Sequence, residues 1–278
     1  MFGSSIIVFR ESLEAALLIG IIAAATRGLP GRARWIAAGT AIGLFGSLAV
    51  AALTESIAEM AGGSGQELFN ASILGIAVLM IGWHNIWMAS HGKEMAANAK
   101  RVGTNVKDGR QALSAVAVAI ALTVLREGSE TALFLHGLVA SNPGNGASVL
   151  TGGAIGLLGG AGLGLLVYRG LLKIPLRRFF SVTGALLLLV ASGLAAQMAK
   201  FLIQADLLPP LAAPLWNWSG IVPANAGLGA ALHVLLGYES EPTGMQVLFY
   251  MVTFVAIAVG TSLVHRRSAI PPYKLKSA

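Results

Sequence analysis

Seven apolar runs, each about 20 residues or longer, take up most of this chain of 278 residues. A helix needs roughly 20 apolar residues to cross the hydrocarbon core of a bilayer. A spanning segment is expected to be helical, because a lone strand in lipid leaves its backbone polar groups unpaired. The pattern predicts an all-α polytopic membrane protein, a single transmembrane domain with helices near residues 4–26, 35–57, 68–90, 111–140, 148–168, 179–203 and 245–264.

The scarcity of charge supports the same class of protein. Only 11% of the residues are charged, against roughly 25% in a soluble domain, so the chain cannot cover a water-facing surface. The net charge of +7 does not indicate nucleic-acid binding, because no basic face with interleaved aromatic residues is present. The motifs of metalloproteases, hydrolases, nucleotide-binding and dinucleotide-binding enzymes are also missing, so we expect a protein that is not an enzyme.

The positions of the basic residues predict the orientation of the chain. Sixteen of the 19 Lys and Arg residues lie in the first, third and fifth connections and in the C-terminal tail, whereas the even-numbered connections contain none. Short basic loops remain on the cytoplasmic side of a membrane. The expected orientation therefore places the N-terminus outside and the C-terminus in the cytoplasm, with the protein in the cytoplasmic (inner) membrane.

Two charged motifs interrupt the apolar runs. The sequence Arg-Glu-x-x-Glu occurs in the first span and again in the fourth, 116 residues later, at Arg10, Glu11 and Glu14 and at Arg126, Glu127 and Glu130. An offset of three helices predicts that the two copies enter the membrane from opposite sides, as in transporters built from inverted repeats. The expected repeats cover about residues 4–90 and 111–203, followed by an outer loop at about 205–244 and a seventh helix at about 245–264.

Helix geometry predicts that these charges meet. Residues i and i+3 share a helix face, and Glu14 and Glu130 each lie roughly 15 Å from the outer end of their span at about 1.5 Å per residue. Four carboxylates outnumber two guanidinium groups, which favours a site for a multivalent cation. The alternative is a structural role, with interhelical pairs such as Arg10 with Glu130 and Arg126 with Glu14.

The chain resembles the oxidase-dependent iron permease family of bacteria and fungi. The resemblance rests on the two motifs, on the run Trp87-Met88-x-x-His91, and on the segment from Pro214-Leu215-Trp216 to Gly237-Tyr238-Glu239. It covers essentially the whole chain. One departure is Asn217, since the family often has an acid at this position.

The resemblance implies the transport of ferric or ferrous iron into the cell. It implies that Glu11, Glu14, Glu127 and Glu130 bind the ion, that Arg10 and Arg126 balance charge, and that Glu239 and Glu241 receive the ion outside. Iron is then the transported ion and no resident cofactor is expected. The expected partners are the lipid bilayer and a separate extracytoplasmic iron oxidase or iron-delivery protein.

Other residues are weaker candidates. Glu55 and Glu59 lie one helical turn apart at the outer end of the second span and are candidates for collecting cations. His84 in the third span is a possible accessory ligand, because ionisable residues inside a membrane are often functional. Two other functions stay open: a proton-coupled transporter of another divalent metal such as lead or manganese, and a non-transporting membrane subunit held by Arg–Glu pairs.

Overall fold

Seven long helices make up most of the chain that the structure describes. The computed structural model describes residues 2–60, 66–141, 144, 146–170, 176–224, 229, 232–233 and 236–268, and these ranges contain no strand. The helical architecture predicted from the apolar runs is thereby confirmed for the described residues. The helices are α1 (Phe2–Ala25), α2 (Arg32–Met60), α3 (Gln66–Lys107), α4 (Ser114–Ser141), α5 (Gly146–Tyr168), α6 (Leu176–Gln204) and α7 (Gly244–Ser268).

Five of the described helices are long and apolar enough to cross a membrane. The spanning segments lie at Arg32–Thr54, Glu67–Met88, Gly146–Tyr168, Ser181–Gln204 and Gly244–Val264. The helices α1 and α4 are 24 and 28 residues long, but each carries the three charges of its Arg-Glu-x-x-Glu motif. These lengths and compositions agree with a polytopic membrane protein, whereas the count of seven spans and the N-outside orientation stay predictions.

The third helix is longer than the sequence analysis predicted. It has 42 residues, so the basic segment that we assigned to a connection is helical as far as Lys107. This segment lacks proline and is rich in Ala and Lys, which favour helices. The helix ends where Gly109 adopts a φ of 72° and Arg110 N donates a hydrogen bond to Asn105 O at 2.8 Å, the arrangement of a glycine-terminated helix.

Each helix that carries a motif packs closely against a glycine-containing helix. Helix α1 lies along α5, and α4 lies along α2. A Cβ atom at Gly160 of α5 would lie 2.9 Å from Leu13 N, and a Cβ atom at Gly39 of α2 would lie 2.9 Å from the Cα atom of Ala117. Glycine is required at both contacts because it lets the two backbones approach, as is common between membrane helices.

Helix α3 lies at the centre of the bundle, where it contacts α1, α4, α6 and α7. Two groups of buried apolar side chains surround it. The first apolar cluster includes Ile7, Ile81 and Phe134, and the second apolar cluster includes Leu18 and Ile120. Along both α1 and α4, the motif glutamates lie between the residues of these two clusters, so the charged groups form a layer between two apolar ones.

Candidate metal site between α1, α3 and α4

Four acidic side chains from α1 and α4 converge with one histidine from α3. One donor atom from each of Glu11, His84, Glu127 and Glu130 lies within 4.8 Å of the others. The Oε2 atom of Glu14 lies 3.8 Å from His84 Nε2. The structure thus brings together the four motif glutamates, as the spacing of the motifs predicts, while their role as metal ligands stays a prediction.

The site is almost completely buried. Glu11, Glu14, Glu127 and His84 each have no more than 3% of their surface exposed. On each helix the two glutamates are three positions apart and therefore point to the same side. Because α1 and α4 are neighbours, both pairs of acids are directed at the space beside α3.

Arg10 neutralises part of the charge on its own helix. Its Nη1 atom lies 2.9 Å from Glu11 Oε1, and its Nη2 atom lies 2.9 Å from Glu14 Oε1. One guanidinium group therefore bridges both acids of α1. The remaining oxygen of each carboxylate, Oε2, is directed towards His84 Nε2 at 3.8 Å.

Arg126 has a more varied set of partners. Its Nε atom lies 3.1 Å from Glu130 Oε1 and 3.7 Å from Glu127 Oε1. The guanidinium carbon lies 4.6 Å from the centroid of the Trp87 ring, and Nη1 lies 3.7 Å from the sulfur of Met95. Arg126 is thus held between the acids of α4 and two side chains of α3.

The interhelical Arg–Glu pairs of the structural alternative are not formed. Within the described residues, Arg10 pairs with acids of α1, and Arg126 pairs with acids of α4. Neither Arg10 with Glu130 nor Arg126 with Glu14 occurs as an ion pair in this part of the chain. The reason is geometric, since a residue four positions along the same helix is already within reach.

Several carboxylate oxygens at the site have no hydrogen-bond partner. Among the described residues these include Glu11 Oε2, Glu14 Oε2 and both oxygens of Glu127, all of them buried. Burying a polar group without a hydrogen-bond partner costs about 1–3 kcal/mol, and the cost is larger for a charged carboxylate. With all acids ionised, two negative charges remain uncompensated. The arrangement suits a bound cation, which would satisfy both the oxygens and the charge.

A cavity of about 220 Å³ adjoins the α4 side of the site. It is lined by Met80, Trp83, His84, Trp87, Arg126 and Glu130. The side chains of Arg126 and Glu130 are 33% and 15% exposed, in contrast to the buried acids of α1. The charged cluster is therefore more accessible on the side of the second copy of the motif.

The acids predicted to receive the ion have different surroundings. Gln197 Nε2 donates a hydrogen bond to Glu239 Oε2 at 3.3 Å, and His233 Nδ1 lies 3.7 Å from the same oxygen. Glu241 is exposed. The side chains of Glu55 and Glu59 lie outside the described residues.

Sequence reasoning named His84 only as a possible accessory ligand and did not connect Trp87 or Met95 with the charged cluster. The structure places His84 among the acids, with Nδ1 against Glu130 Oε2, and its role as a ligand stays a prediction. Trp87 follows His84 by three positions, and this helical spacing was the available signal that it faces the same side. No comparable signal pointed to Met95, because its contact with Arg126 depends on how α3 crosses α4.

Comparison with known proteins places the whole chain in one family. The model of the iron permease FTR1 family matches residues 1–271. The chain is 28% identical over 259 residues to the ferrous iron permease EfeU of Yersinia pestis, which covers 92% of this chain and 91% of the relative. It is 28% identical over 278 residues to EfeU of Escherichia coli O157:H7, with 97% and 98% covered.

No solved structure matches the chain significantly. The family consists of permeases, which are transporters and not enzymes, and the apolar helices described above are those of a multi-pass membrane protein. On the match to the family model and its extent along the sequence, this chain belongs to the FTR1 iron permease family.

Proposed function

We propose that the chain carries iron across the cytoplasmic membrane into the cell, and that four glutamates line the site that binds the ion in transit. Membership of an iron permease family supports the substrate. The main support for the site is a set of buried carboxylate oxygens that have no hydrogen-bond partner in the described part of the chain. They belong to Glu11, Glu14 and Glu127. Glu130 completes the set at the edge of the cavity.

The chemistry of the site fits a multivalent cation in transit. Carboxylate oxygens are hard ligands that replace the water around such an ion. Arg10 and Arg126 occupy some oxygens and limit the negative charge when no ion is bound. The site then binds a cation without the prohibitive cost of four unpaired carboxylates inside a membrane.

The membrane potential supplies a driving force for uptake. An inward-negative potential contributes about 2.3 kcal/mol per charge per 100 mV. This amounts to roughly 4.6 kcal/mol for Fe²⁺ and roughly 7 kcal/mol for Fe³⁺ at that potential. Iron entering from outside needs no nucleotide hydrolysis under these conditions.

The packing of the helices suggests how the site changes access. Helix α1 packs with α5, and α4 packs with α2, so each motif helix is joined to a helix of the other proposed repeat. The four glutamates lie where two units meet, the pair α1 and α5 and the pair α2 and α4. We infer that the helices form an inverted repeat and that movement of one unit against the other opens the site to each side in turn.

Iron reaches the permease from a separate protein in this proposal. An extracytoplasmic oxidase or delivery protein sets the oxidation state of iron and releases it at the outer surface. Glu239, which is 20% exposed beside His233 and Gln197, is the proposed first acceptor. Glu241 and the acids of α2, Glu55 and Glu59, increase the local concentration of cations.

Iron uptake into liposomes tests the role of the glutamates. We expect Glu14→Gln and Glu127→Gln each to lower uptake by about 100-fold or more, because removal even of groups that only support a ligand costs about 10- to 100-fold in metal affinity. Glu94→Gln is the matched control, since Glu94 is an exposed acid of α3 that lies ten residues after His84, about 15 Å along the helix. Normal iron uptake by either site variant would contradict the proposal.

The same assay separates iron from other cargo. Competition by lead, manganese and cobalt, measured at several pH values, identifies a proton-coupled carrier of another divalent metal if one of these ions is transported in preference to iron. A non-transporting subunit would show no uptake in the wild-type protein. The intrahelical pairing of both arginines supports the permease over that last alternative, for which interhelical Arg–Glu pairs were expected.

A further inference from the structure

The four glutamates do not have equivalent surroundings, and His84 accounts for the difference. Glu130 uses both of its oxygens: Oε1 lies 3.1 Å from Arg126 Nε, and Oε2 contacts His84 Nδ1. Glu11 and Glu14 each use Oε1 for Arg10 and direct Oε2 to the other ring nitrogen of His84. The imidazole ring therefore stands between one acid of α4 and two acids of α1.

The distances on the two sides of the ring differ in a chemically informative way. The separation of 3.8 Å between His84 Nε2 and the Oε2 atoms of Glu11 and Glu14 is too long for a hydrogen bond. It is a suitable separation for two ligands of one metal ion, because each metal–ligand bond is about 2.0–2.2 Å long. The contact of Nδ1 with Glu130 corresponds to the carboxylate that commonly orients a metal-binding histidine.

We propose that His84 Nε2 is a direct ligand of the transported ion, together with Glu11, Glu14 and Glu127, and that Glu130 orients His84. This inference rests on the proposed function and assigns different roles within its site. Glu127 qualifies as a direct ligand because both of its oxygens are buried without a hydrogen-bond partner among the described residues and Arg126 Nε lies 3.7 Å from Oε1, farther than the 3.1 Å to Glu130 Oε1. The arginines cannot supply the nitrogen ligand, since a guanidinium group only donates hydrogen bonds.

A nitrogen ligand gives the site a selectivity that carboxylates lack. Sites made only of oxygen suit Mg²⁺ and Ca²⁺ as well as Mn²⁺, whereas imidazole favours iron and other transition metals. His84 is thus the specificity-determining residue of the site. It lets the permease take iron in the presence of more abundant alkaline-earth cations.

Spectroscopy of the purified wild-type protein tests the ligand directly. We expect the electron spin-echo of bound Mn²⁺ to be modulated by ¹⁴N, and this modulation to change when the protein is labelled with ¹⁵N-histidine. The pattern should persist in His91→Gln, a matched change on the same helix at a residue that stacks on Trp87 instead of facing the acids. Absence of nitrogen modulation in the wild-type protein would overturn the proposal without the use of any site variant.

Selectivity provides the second test. We expect His84→Gln to lower the preference for Fe²⁺ over Ca²⁺ by at least about tenfold in binding and in liposome uptake. Glu130→Gln should weaken Mn²⁺ binding by about 10- to 100-fold and retain the nitrogen modulation, because the glutamine oxygen still accepts a hydrogen bond from Nδ1–H. An unchanged preference in His84→Gln contradicts the inference.

The outcomes distinguish this inference from the proposed function. If Glu14→Gln and Glu127→Gln lose uptake while Mn²⁺ shows no bound nitrogen, the carboxylate site stands and the role of His84 is wrong. If those two variants bind and transport iron normally, the proposed function itself is wrong.

Discussion

The two copies of the Arg-Glu-x-x-Glu motif have the same sequence pattern but different environments. In the first copy, Arg10 and Glu14 are 2% and 3% exposed, and the guanidinium group contacts only the two acids of its helix among the partners described above. In the second copy, Arg126 is one-third exposed and adjoins a cavity. A shared local motif therefore fixes which side chains share a helix face, but not how deeply they are buried.

The difference arises from the neighbours of each helix. Both copies are packed against a glycine-containing helix through a serine–glycine contact, Ser12 against Gly160 in the first and Gly128 against Ser47 in the second. On the other side of α4, however, Trp87 and Met95 of α3 contact Arg126. The first copy is consequently the more buried half of the site, and the second copy is the half that adjoins the cavity.

Replacement of the two arginines should reveal the difference between the two copies most strongly. Arg10→Gln leaves two buried carboxylates without their shared partner, and removal of one member of a buried ion pair costs about 3–5 kcal/mol. Arg126→Gln should cost less, about 1–2 kcal/mol, because partly exposed ion pairs contribute little and the contact with Trp87 adds about 0.5–2 kcal/mol. The free energy of unfolding or the thermal stability of the detergent-purified variants measures the difference.

Arg10→Lys provides the control for charge alone. A lysine keeps the positive charge but lacks the planar fork that reaches both Glu11 and Glu14, so its stability should lie between those of the wild type and Arg10→Gln. Equal destabilisation by Arg10→Gln and Arg126→Gln would show that the two copies are energetically alike.

Substitution of the packing glycines should have the next largest effect, and the effect should be similar for the two motif helices. A Cβ atom at Gly160 would lie 2.9 Å from Leu13 N, and one at Gly43 would lie 2.6 Å from the Cβ atom of Val124. We expect Gly160→Ala and Gly43→Ala each to destabilise the protein by about 1–3 kcal/mol, since both motif helices rely on close approach. Thermal unfolding again provides the measurement.

Gly162→Ala is the matched control on α5. A Cβ atom at Gly162 meets nothing within 4 Å, so alanine there should be neutral or stabilising by up to about 1 kcal/mol. A loss of stability at Gly162 as large as that at Gly160 would mean that close approach of the neighbouring helix does not determine the effect.

The smallest expected effect concerns the aromatic contact found only in the second copy. Trp87→Leu removes the interaction with the Arg126 guanidinium, which is worth about 0.5–2 kcal/mol. A double-mutant cycle with Arg126→Gln isolates this coupling from the stacking of Trp87 on His91. Trp83→Leu, at a neighbouring side chain that is 73% exposed, should show a coupling to Arg126 close to zero. Equal coupling energies for Trp83 and Trp87 would contradict a specific interaction between Arg126 and Trp87.

The sequence was sufficient to predict the helices and the meeting of the acids. The length of each apolar run determines a spanning helix, and the spacing of Glu11 with Glu14 and of Glu127 with Glu130 places each pair on one face. The number of residues from Glu14 and Glu130 to the outer end of their spans then predicted that both pairs lie at a similar depth. Both predictions follow from the regular geometry of a helix, because the sequence spacing alone determines which residues share a face and how far apart they lie along the axis.

The partners of individual side chains could not be predicted in the same way. The sequence left open whether Arg10 pairs within α1 or with Glu130, because that choice depends on the relative positions of two helices. The importance of His84 depends on the central position of α3, which only tertiary packing determines. The extension of α3 to Lys107 was missed because the polar composition of its end indicated where the membrane stops, not where the helix stops.

The two apolar clusters on either side of the charged layer have a consequence for the proton-motive force across the membrane. A continuous column of water through a membrane protein conducts protons and dissipates the proton-motive force. Side chains such as Ile7 and Phe134 on one side and Leu18 and Ile120 on the other are apolar and would oppose such a column above and below the glutamates. In this conformation the protein would hold charged groups deep in the bilayer and still leave the membrane electrically tight between rounds of transport.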